Sequence, residues 1–289
     1  MIFLKANNFF QSILQIIINL FFRLMISINK KISISYKNNI FLTGDFFWSL
    51  SRFKRKKNSS KIIFSTIKDF PKKKDYQIYK NKIWIFHNSD EVFDVKQKKK
   101  LDFFSPKKCF SQNLIIKKKN YHFLPIGLEN NKFHNHGNIN DFLRLRKIQT
   151  NKTPRILYGF KITNPKRIKV RKYLRNLNFC DETKGWNSYI YRRILMKYMF
   201  IICPEGNGID THRFWEALYL KTIPIIKKNR ISSFLQKLNL PIIILDNWSD
   251  ISNFNEIKLK RFYQSKKKFF NNRFLFQKYW KNIINRQSN

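Results

Sequence analysis

The residues best suited to chemistry are concentrated in one segment, which reads CPEGNGIDTHRFWEALYLKTIPII over residues 203–226. An apolar run leads into it. Two glycines follow, Gly206 and Gly208, and glycine lets a backbone approach a ligand closely. Asp210 or Thr211 is placed to cap a helix, whose free N–H groups and positive dipole end favour a phosphate group. The spacing therefore predicts a strand, a ligand-binding turn and a helix in succession.

The predicted helix carries side chains that suit the two parts of a ribose diphosphate. Arg213 has the guanidinium geometry for bidentate contact with a diphosphate. Glu216 follows on the same helical face, one turn beyond His212, and a carboxylate there would accept hydrogen bonds from ribose hydroxyls. The same spacing also fits an ordinary tight turn followed by a surface Arg–Glu pair.

The composition gives weight to the small residues of this segment. The 289 residues include 59 Lys and Arg against 17 Asp and Glu, for a net charge of +42, but only 7 Gly. Alanine occurs only as Ala6 and Ala217. An AT-rich coding sequence explains the abundance of Lys, Asn, Ile and Phe as well as a polyanionic partner does. Because such a coding sequence disfavours Gly and Ala, we expect these residues mainly where a larger side chain would not fit.

Alternating apolar and helical patterns predict an α/β fold with parallel sheets. Strands are predicted over residues 39–42, 61–66, 82–86, 121–125, 154–160, 198–203, 223–226 and 242–245. Helices are predicted over residues 139–149, 165–177, 186–197, 211–220 and 232–238, with a long helix over 255–284 closing the chain. Residues 130–153 are interpreted as a linker region around the first of these helices. Several strands end in polar residues, as expected where ligands bind at the carboxyl ends of an open sheet.

Residues 203–226 resemble the donor-site motif of exostosin-like glycosyltransferases. In that motif a strand is followed by Pro-x-Gly-x-Gly, then Asp-x-His-Arg-x-Trp-Glu-Ala-Leu and Ile-Pro-Val/Ile. The resemblance implies a GT-B-like fold, with two Rossmann-type domains whose parallel sheets face a cleft. It also implies a nucleotide-sugar donor, no cofactor and no essential metal, and the lack of an Asp-x-Asp motif agrees with metal-free donor binding. The implied donor-binding residues are Gly206, Asn207, Gly208, Asp210, His212, Arg213 and Glu216.

A second, shorter stretch is similar to related transferases, including the α1,3-fucosyltransferases. It reads FKITNPKR over residues 160–167 and corresponds to a basic contact with the donor diphosphate. The similarity implies this role for Arg167, with Lys166 as the alternate. A generic basic helix start fits the same residues.

The motif is not matched everywhere. Glu205 replaces the usual basic residue after the proline, which puts in doubt a phosphate contact from that position. Lys221 and Thr222 replace the usual Gly, and often Cys, before Ile-Pro, which puts in doubt the turn into the next strand. Outside residues 159–245 the resemblance is thin, so the other half of the chain is interpreted from pattern alone.

The implied organisation has three parts. Residues 1–31 would form an N-terminal amphipathic helix, residues 32–150 an acceptor-side Rossmann-like domain, and residues 151–289 a donor-binding domain with the closing helix. In the first part, polar residues recur every four positions from Gln11 to Arg23, a pattern typical of a helix lying on a membrane or on the protein. We therefore expect a cytoplasmic protein, peripheral on an anionic membrane surface, with a single N-terminal anchor as the alternative.

The candidate base is a carboxylate at the carboxyl end of an N-terminal strand. Asp90 and Glu91 follow the strand predicted over residues 82–86 and fit best, with Asp45 and Glu129 as alternatives. No metal site is expected, because the neighbouring His134 and His136 lack an acidic or Cys partner.

The sequence thus favours transfer of a sugar from a nucleotide-sugar donor to a hydroxyl of a glycan or lipid-linked acceptor. One alternative is a basic nucleic-acid-binding protein. Lys is spread along the whole chain rather than concentrated on one element, so no specific nucleic acid is expected. The other alternative is an inactive, membrane-associated relative of the transferases.

Overall fold

The computed structural model describes residues 40–51, 61–133, 136–183 and 187–286. Residues 39–289 form one compact unit. The helix predicted near the N-terminus lies outside the described residues. Within the described ranges, no helix is both long enough and apolar enough to cross a membrane.

The first sheet has four parallel strands in chain order. These are β1 (Ile62–Ser65), β2 (Ile83–Phe86), β3 (Lys108–Ser111) and β4 (Tyr121–Phe123). The accompanying helices are α1 (Gly44–Leu50), α2 (Tyr76–Tyr79), after a 3-10 turn at Lys73–Asp75, and α3 (Val95–Asp102). All four residues of β2 are buried, as expected for a central strand of a parallel sheet that is covered on both faces.

The second sheet has five parallel strands in the order β6-β5-β7-β8-β9. They are β5 (Thr153–Tyr158), β6 (Cys180–Glu182), β7 (Tyr198–Ile202), β8 (Ile223–Lys227) and β9 (Ile243–Leu245). Its helices are α5 (Pro165–Leu174), α6 (Ser188–Leu195), α7 (His212–Tyr219) and α8 (Ser232–Lys237). The strand order reverses between β5 and β7, which makes their carboxyl ends the switch point where open α/β sheets bind ligands.

Hydrogen bonds join the carboxyl ends of the two sheets. The Ile126 N–H, just after β4, donates to Asp210 Oδ2 at 2.8 Å. The Asp210 N–H donates to Asn113 Oδ1, just after β3, at 2.9 Å. The molecule is therefore an α/β protein with two parallel sheets, consistent with two Rossmann-like domains. The predicted boundary at residue 150 falls between the two sheets, although both belong to one compact unit.

The segment predicted as a linker is part of the packed structure instead. Helix α4 (Ile139–Lys147) buries Phe142 and Leu145. Its Asp141 carboxylate accepts a hydrogen bond from Arg192 Nε of α6 at 2.6 Å, and both side chains are almost completely buried. The segment was interpreted as a linker because its polar residues suggested exposure, whereas Asp141 is buried in an ion pair with Arg192.

Four other elements differ from the prediction. The strand predicted over residues 39–42 is reduced to an isolated bridge between Phe41 and Phe276. Strands β3 and β6 were not predicted, because each is short and carries charged residues. The long closing helix is divided into α9 (Glu256–Lys266), two 3-10 turns and α10 (Gln277–Arg286). It breaks at Asn272, whose side chain donates to the Leu238 carbonyl oxygen.

Candidate functional site

The loops that follow β5 and β7 meet at the switch point of the second sheet. Arg167, in the first turn of α5, donates from Nε to the Glu205 carbonyl oxygen at 2.8 Å and from Nη2 to that of Pro204 at 3.2 Å. Asn164, the residue before α5, donates from Nδ2 to the Gly206 carbonyl oxygen at 3.2 Å. The first loop therefore holds the second in place.

Arg167 lies at the site, where its guanidinium is bonded to backbone carbonyl groups. Its third nitrogen, Nη1, donates to the Lys161 carbonyl oxygen at 2.8 Å, and the residue is only 7% exposed. Burial lowers the pKa of Arg167, and the positive charge of Arg213 lowers it further. We interpret Arg167 as a residue that positions the loop. The alternate, Lys166, is exposed at the start of α5.

The glycines of the loop differ in how much room surrounds them. A Cβ atom at Gly208 would lie 2.9 Å from Asn113 Nδ2, so this glycine is needed for packing against the first sheet. At Gly206 the nearest atom would be Arg167 Nη2 at 3.2 Å, which the hydrogen bond to the Pro204 carbonyl oxygen holds in place. Every other described glycine would bring a Cβ closer than 3.0 Å to another atom. Gly206 is thus the described glycine that packing explains least, and its neighbour Asn207 is exposed.

Asp210 joins the two sheets and does not face solvent. It is 4% exposed, and its carboxylate accepts hydrogen bonds from the Ile126 N–H and from Trp215 Nε1, the latter at 2.9 Å. Burial raises the pKa of Asp210 to about 6, although these donors favour the ionised form. The sequence resemblance implied a donor contact for this residue. The structure commits its carboxylate to protein donors instead.

Helix α7 begins at this loop with its amino end towards the switch point. The side chain of its N-cap residue, Thr211, makes no capping hydrogen bond. At the other end, the N–H groups of Lys221 and Thr222 donate back to Leu218 and Ala217, at 3.2 and 2.8 Å, as in a Schellman motif. Lys221 has φ of 58°, so the departure from Gly at this position places lysine in a left-handed conformation and leaves the turn intact.

Arg213 is half-buried and has no carboxylate partner within 4 Å in the described part of the chain. Its Nε donates to the Tyr191 hydroxyl of α6 at 3.2 Å, and its guanidinium lies 5.8 Å from the centre of the Tyr191 ring. Glu216, one turn along α7, is also half-buried and makes no side-chain hydrogen bond within the described ranges. Two charged side chains on one helical face are therefore left available beside the switch point.

His212 points towards the loop that follows β4. Its Nδ1 donates to the Gly127 carbonyl oxygen at 2.8 Å, and its Nε2 lies 3.2 Å from Glu129 Oε2. Burial opposes the charged imidazolium, but Glu129 outweighs it, and the pKa of His212 is raised. The same pair holds the pKa of Glu129 below its usual range against the effect of burial. His212, predicted as a donor contact, thus forms an ion pair between the two sheets.

The other candidate bases make no contact with α7 in the described part of the chain. Glu91 pairs with Lys68 at 2.9 Å, and the Ser89 hydroxyl and Lys68 lower its pKa to about 2. Asp90 is exposed on the same loop. The Asp45 carboxylate accepts a hydrogen bond from the Asn131 N–H at 2.8 Å. Of the four candidate carboxylates, Glu129 alone contacts α7 within the described ranges, through His212.

Sequence reasoning missed two residues that shape the site. Asn113 is buried and links the loops after β2 and β7 through its side chain. It has φ of 51°, and it was overlooked because β3 itself was not predicted. Tyr191, the hydrogen-bond partner of Arg213, lies in a correctly predicted helix, but nothing in the sequence indicates its direction.

Within the described ranges, no three His, Cys, Asp or Glu side chains lie close enough together to hold a metal ion. The comparison with protein-family models gave no match, and the comparison with curated proteins gave none either.

Proposed function

We propose that this protein is a glycosyltransferase with a GT-B-like fold, which moves a sugar from a nucleotide-sugar donor to an acceptor hydroxyl without an essential metal. One observation carries the proposal. Arg213 is a half-buried guanidinium without a carboxylate partner in the described part of the chain, and it lies at the switch point of a parallel sheet. A buried charge is costly unless it is paired, so an anionic ligand is the natural partner.

The surroundings of Arg213 fit a nucleoside diphosphate. The amino end of α7 adds a positive dipole beside the guanidinium, and both would bind phosphate oxygens. Glu216 would accept hydrogen bonds from ribose hydroxyls. A Cβ atom at Gly206 would have more room than one at any other described glycine, with Arg167 Nη2 at 3.2 Å as its nearest neighbour, so this backbone would be the part of the loop that a ligand approaches.

Transfer would proceed by attack of the acceptor oxygen on the anomeric carbon of the donor sugar. The bond from that carbon to the phosphate oxygen breaks, and its electron pair leaves with the nucleoside diphosphate. Arg213 would stabilise the charge that develops on the diphosphate. The acceptor proton would pass to Glu129, which lies on the loop of the first sheet that touches the start of α7.

The donor site is tested by screening nucleotide-sugars for stabilisation of the full chain in a thermal melt, together with release of nucleoside diphosphate. We expect Arg213→Ala and Glu216→Ala to reduce both readouts. Arg261→Ala is the matched control, since this arginine is exposed on α9. If nucleotide-sugar binding survives both site substitutions unchanged, the donor site is wrongly assigned.

The base is tested separately. Glu129→Gln should lower kcat while leaving the donor affinity largely unchanged, because the amide keeps the shape but does not take up a proton. Asp246→Asn, at an exposed position after β9, is the control and should retain the activity. An unchanged kcat in Glu129→Gln would contradict the assignment of the base.

A further inference from the structure

Four segments without Lys or Arg come together at the carboxyl ends of the first sheet. Lys and Arg make up 59 of the 289 residues, about one residue in five. Segments 40–51, 83–95, 120–131 and 198–212 nevertheless contain neither. These segments are far apart in sequence. Their shared lack of Lys and Arg points to a common surface only if the fold brings them together.

Hydrogen bonds between side chains and backbone make that connection. Asn130 Oδ1 accepts from the Asp45 N–H at 2.9 Å, and Asn130 Nδ2 donates to Asn88 Oδ1 at 3.0 Å. The Asp45 carboxylate accepts from the Asn131 N–H at 2.8 Å. The fourth segment joins the other three through Asp210. We call the resulting surface the neutral edge.

Burial alone does not explain the missing cations, because the exposed positions lack them as well. The exposed residues of the four segments are Asp45, Trp48, Asn88, Asp90, Val95, Asn131 and Asn207. Most are amides or carboxylates, the groups that exchange hydrogen bonds with hydroxyls. Trp48 is 40% exposed and lies three residues after Asp45, on the same side of α1.

We propose that the acceptor is a neutral, hydroxyl-rich saccharide, without carboxylate, sulfate or phosphate groups, bound on the neutral edge. The inference rests on the proposed function for the step that the saccharide undergoes. Sugar hydroxyls would donate to Asp45 and Asp90 and accept from the amide nitrogen of Asn88. The C–H face of a sugar ring would stack on Trp48. An anionic saccharide would instead meet the carboxylates of Asp45 and Asp90, while Lys68, which reaches this loop from outside the four segments, is already paired with Glu91.

The test uses the full chain and saturation-transfer NMR with two matched sets of oligosaccharides. One set consists of neutral gluco- and manno-oligosaccharides, and the other has the same lengths but carries uronic acids or sulfates. We expect the neutral set to bind. Trp48→Ala should weaken that binding about fivefold, the size of an aromatic contact. Phe103→Ala should leave it unchanged, because Phe103 is equally exposed but lies beyond the far end of α3.

A charge reversal provides the second readout. Asp90→Lys should increase the affinity for the anionic set, whereas Asp246→Lys, at an exposed position after β9, should not. Preferential binding of anionic saccharides by the unmodified chain would overturn the inference, and so would failure of the whole neutral set to bind. Nucleotide-sugar binding is measured independently, so loss of the donor site would refute the transferase without changing the saccharide result.

Discussion

Left-handed backbone conformations occur at both the amino and the carboxyl ends of the strands, called here the amino edge and the carboxyl edge, and the two edges differ in one residue. At the amino edge, the turns that lead into strands use Asn81, Ser105, Lys221 and Asn239. The carboxyl edge uses Asn88 and Asn113 in the same way, but it also has Gly127, with φ of 70°, where a Cβ would overlap the Leu42 carbonyl oxygen. Among the described residues, glycine thus occupies the left-handed position where an added carbon atom has no space, and residues with side chains occupy the others.

The amino and carboxyl edges of the first sheet also differ in the number of lysines that line them. A cavity of about 400 Å³ at the amino edge of the first sheet is lined by Lys61, Lys80, Lys82 and Lys107, together with Gln77, Asn81 and Ile83. The candidate site and the neutral edge lie at the opposite ends of the strands. The net charge of +42 therefore says little about the neutral edge, whose four segments contain no Lys or Arg.

The largest expected effect at the carboxyl edge is that of Asp210→Ala. The substitution leaves the Ile126 N–H and Trp215 Nε1 without a hydrogen-bond acceptor. Each buried donor left unpaired costs about 1–3 kcal/mol. We expect a loss of about 3 kcal/mol in the free energy of unfolding, measured in urea. Asp246→Ala, which removes an exposed ion pair with Lys228, should change it by less than about 0.5 kcal/mol.

Gly127→Ala should be nearly as damaging. The left-handed conformation alone costs alanine about 1–2 kcal/mol, and relief of the overlap with Leu42 adds to that cost. Gly206→Ala is the matched substitution at the glycine with the most room, and it should cost about 1 kcal/mol, since a Cβ 3.2 Å from Arg167 Nη2 disturbs one hydrogen-bonded nitrogen rather than the backbone. Equal losses for the two variants would show that packing does not distinguish these glycines.

Asp210 also predicts a pH dependence. Its pKa is raised to about 6 in the folded protein, so between pH 4 and 6 the folded state binds more protons than the unfolded state. Stability should therefore fall as pH rises through this window, and Asp210→Asn should not share the loss. Relative to that variant, the wild type should lose about 2 kcal/mol between pH 4 and pH 7 in urea titrations. A constant difference would mean that burial does not perturb this carboxyl group.

The smallest effect is expected at the amino edge and has the opposite sign. Lys221→Gly places glycine in the left-handed position that ends α7 and should stabilise the protein by about 0.5–1 kcal/mol. Lys227→Gly, at the end of β8, should give no such gain. Thermal melts of both variants would measure the difference, and a destabilised Lys221→Gly protein would contradict the steric account of this edge.

Much of the second sheet was predictable because its elements are long, apolar and clearly delimited. Helix α7 was placed within one residue at each end, and the capping pattern at Pro165 located the start of α5. The strand order was not predictable from the chain alone, because it depends on which strands pair across the sheet. Strand β6 shows the limit, since three half-exposed residues at an edge carry no periodic pattern.

The candidate site was predictable in its location but not in the role of each residue. The resemblance to known transferases implied a phosphate contact for Arg167 and a ligand contact for Asp210. Only the structure shows that backbone carbonyls surround the first and that the second bonds across to the other sheet. A buried, structural charge and a ligand-binding charge look alike in sequence, because the difference lies in the partners that the fold supplies.

The central claim is that Arg213 binds the diphosphate of the donor. Isothermal titration calorimetry with nucleoside diphosphates tests this claim most directly. Charge-assisted hydrogen bonds contribute about 1.5–3 kcal/mol, so Arg213→Ala should weaken binding roughly 10- to 100-fold. Arg261→Ala and a triple Gln substitution of Lys80, Lys82 and Lys107 at the amino edge should leave the affinity unchanged. Equal affinity of the wild type and Arg213→Ala, or a loss confined to the lysine variant, would contradict this account.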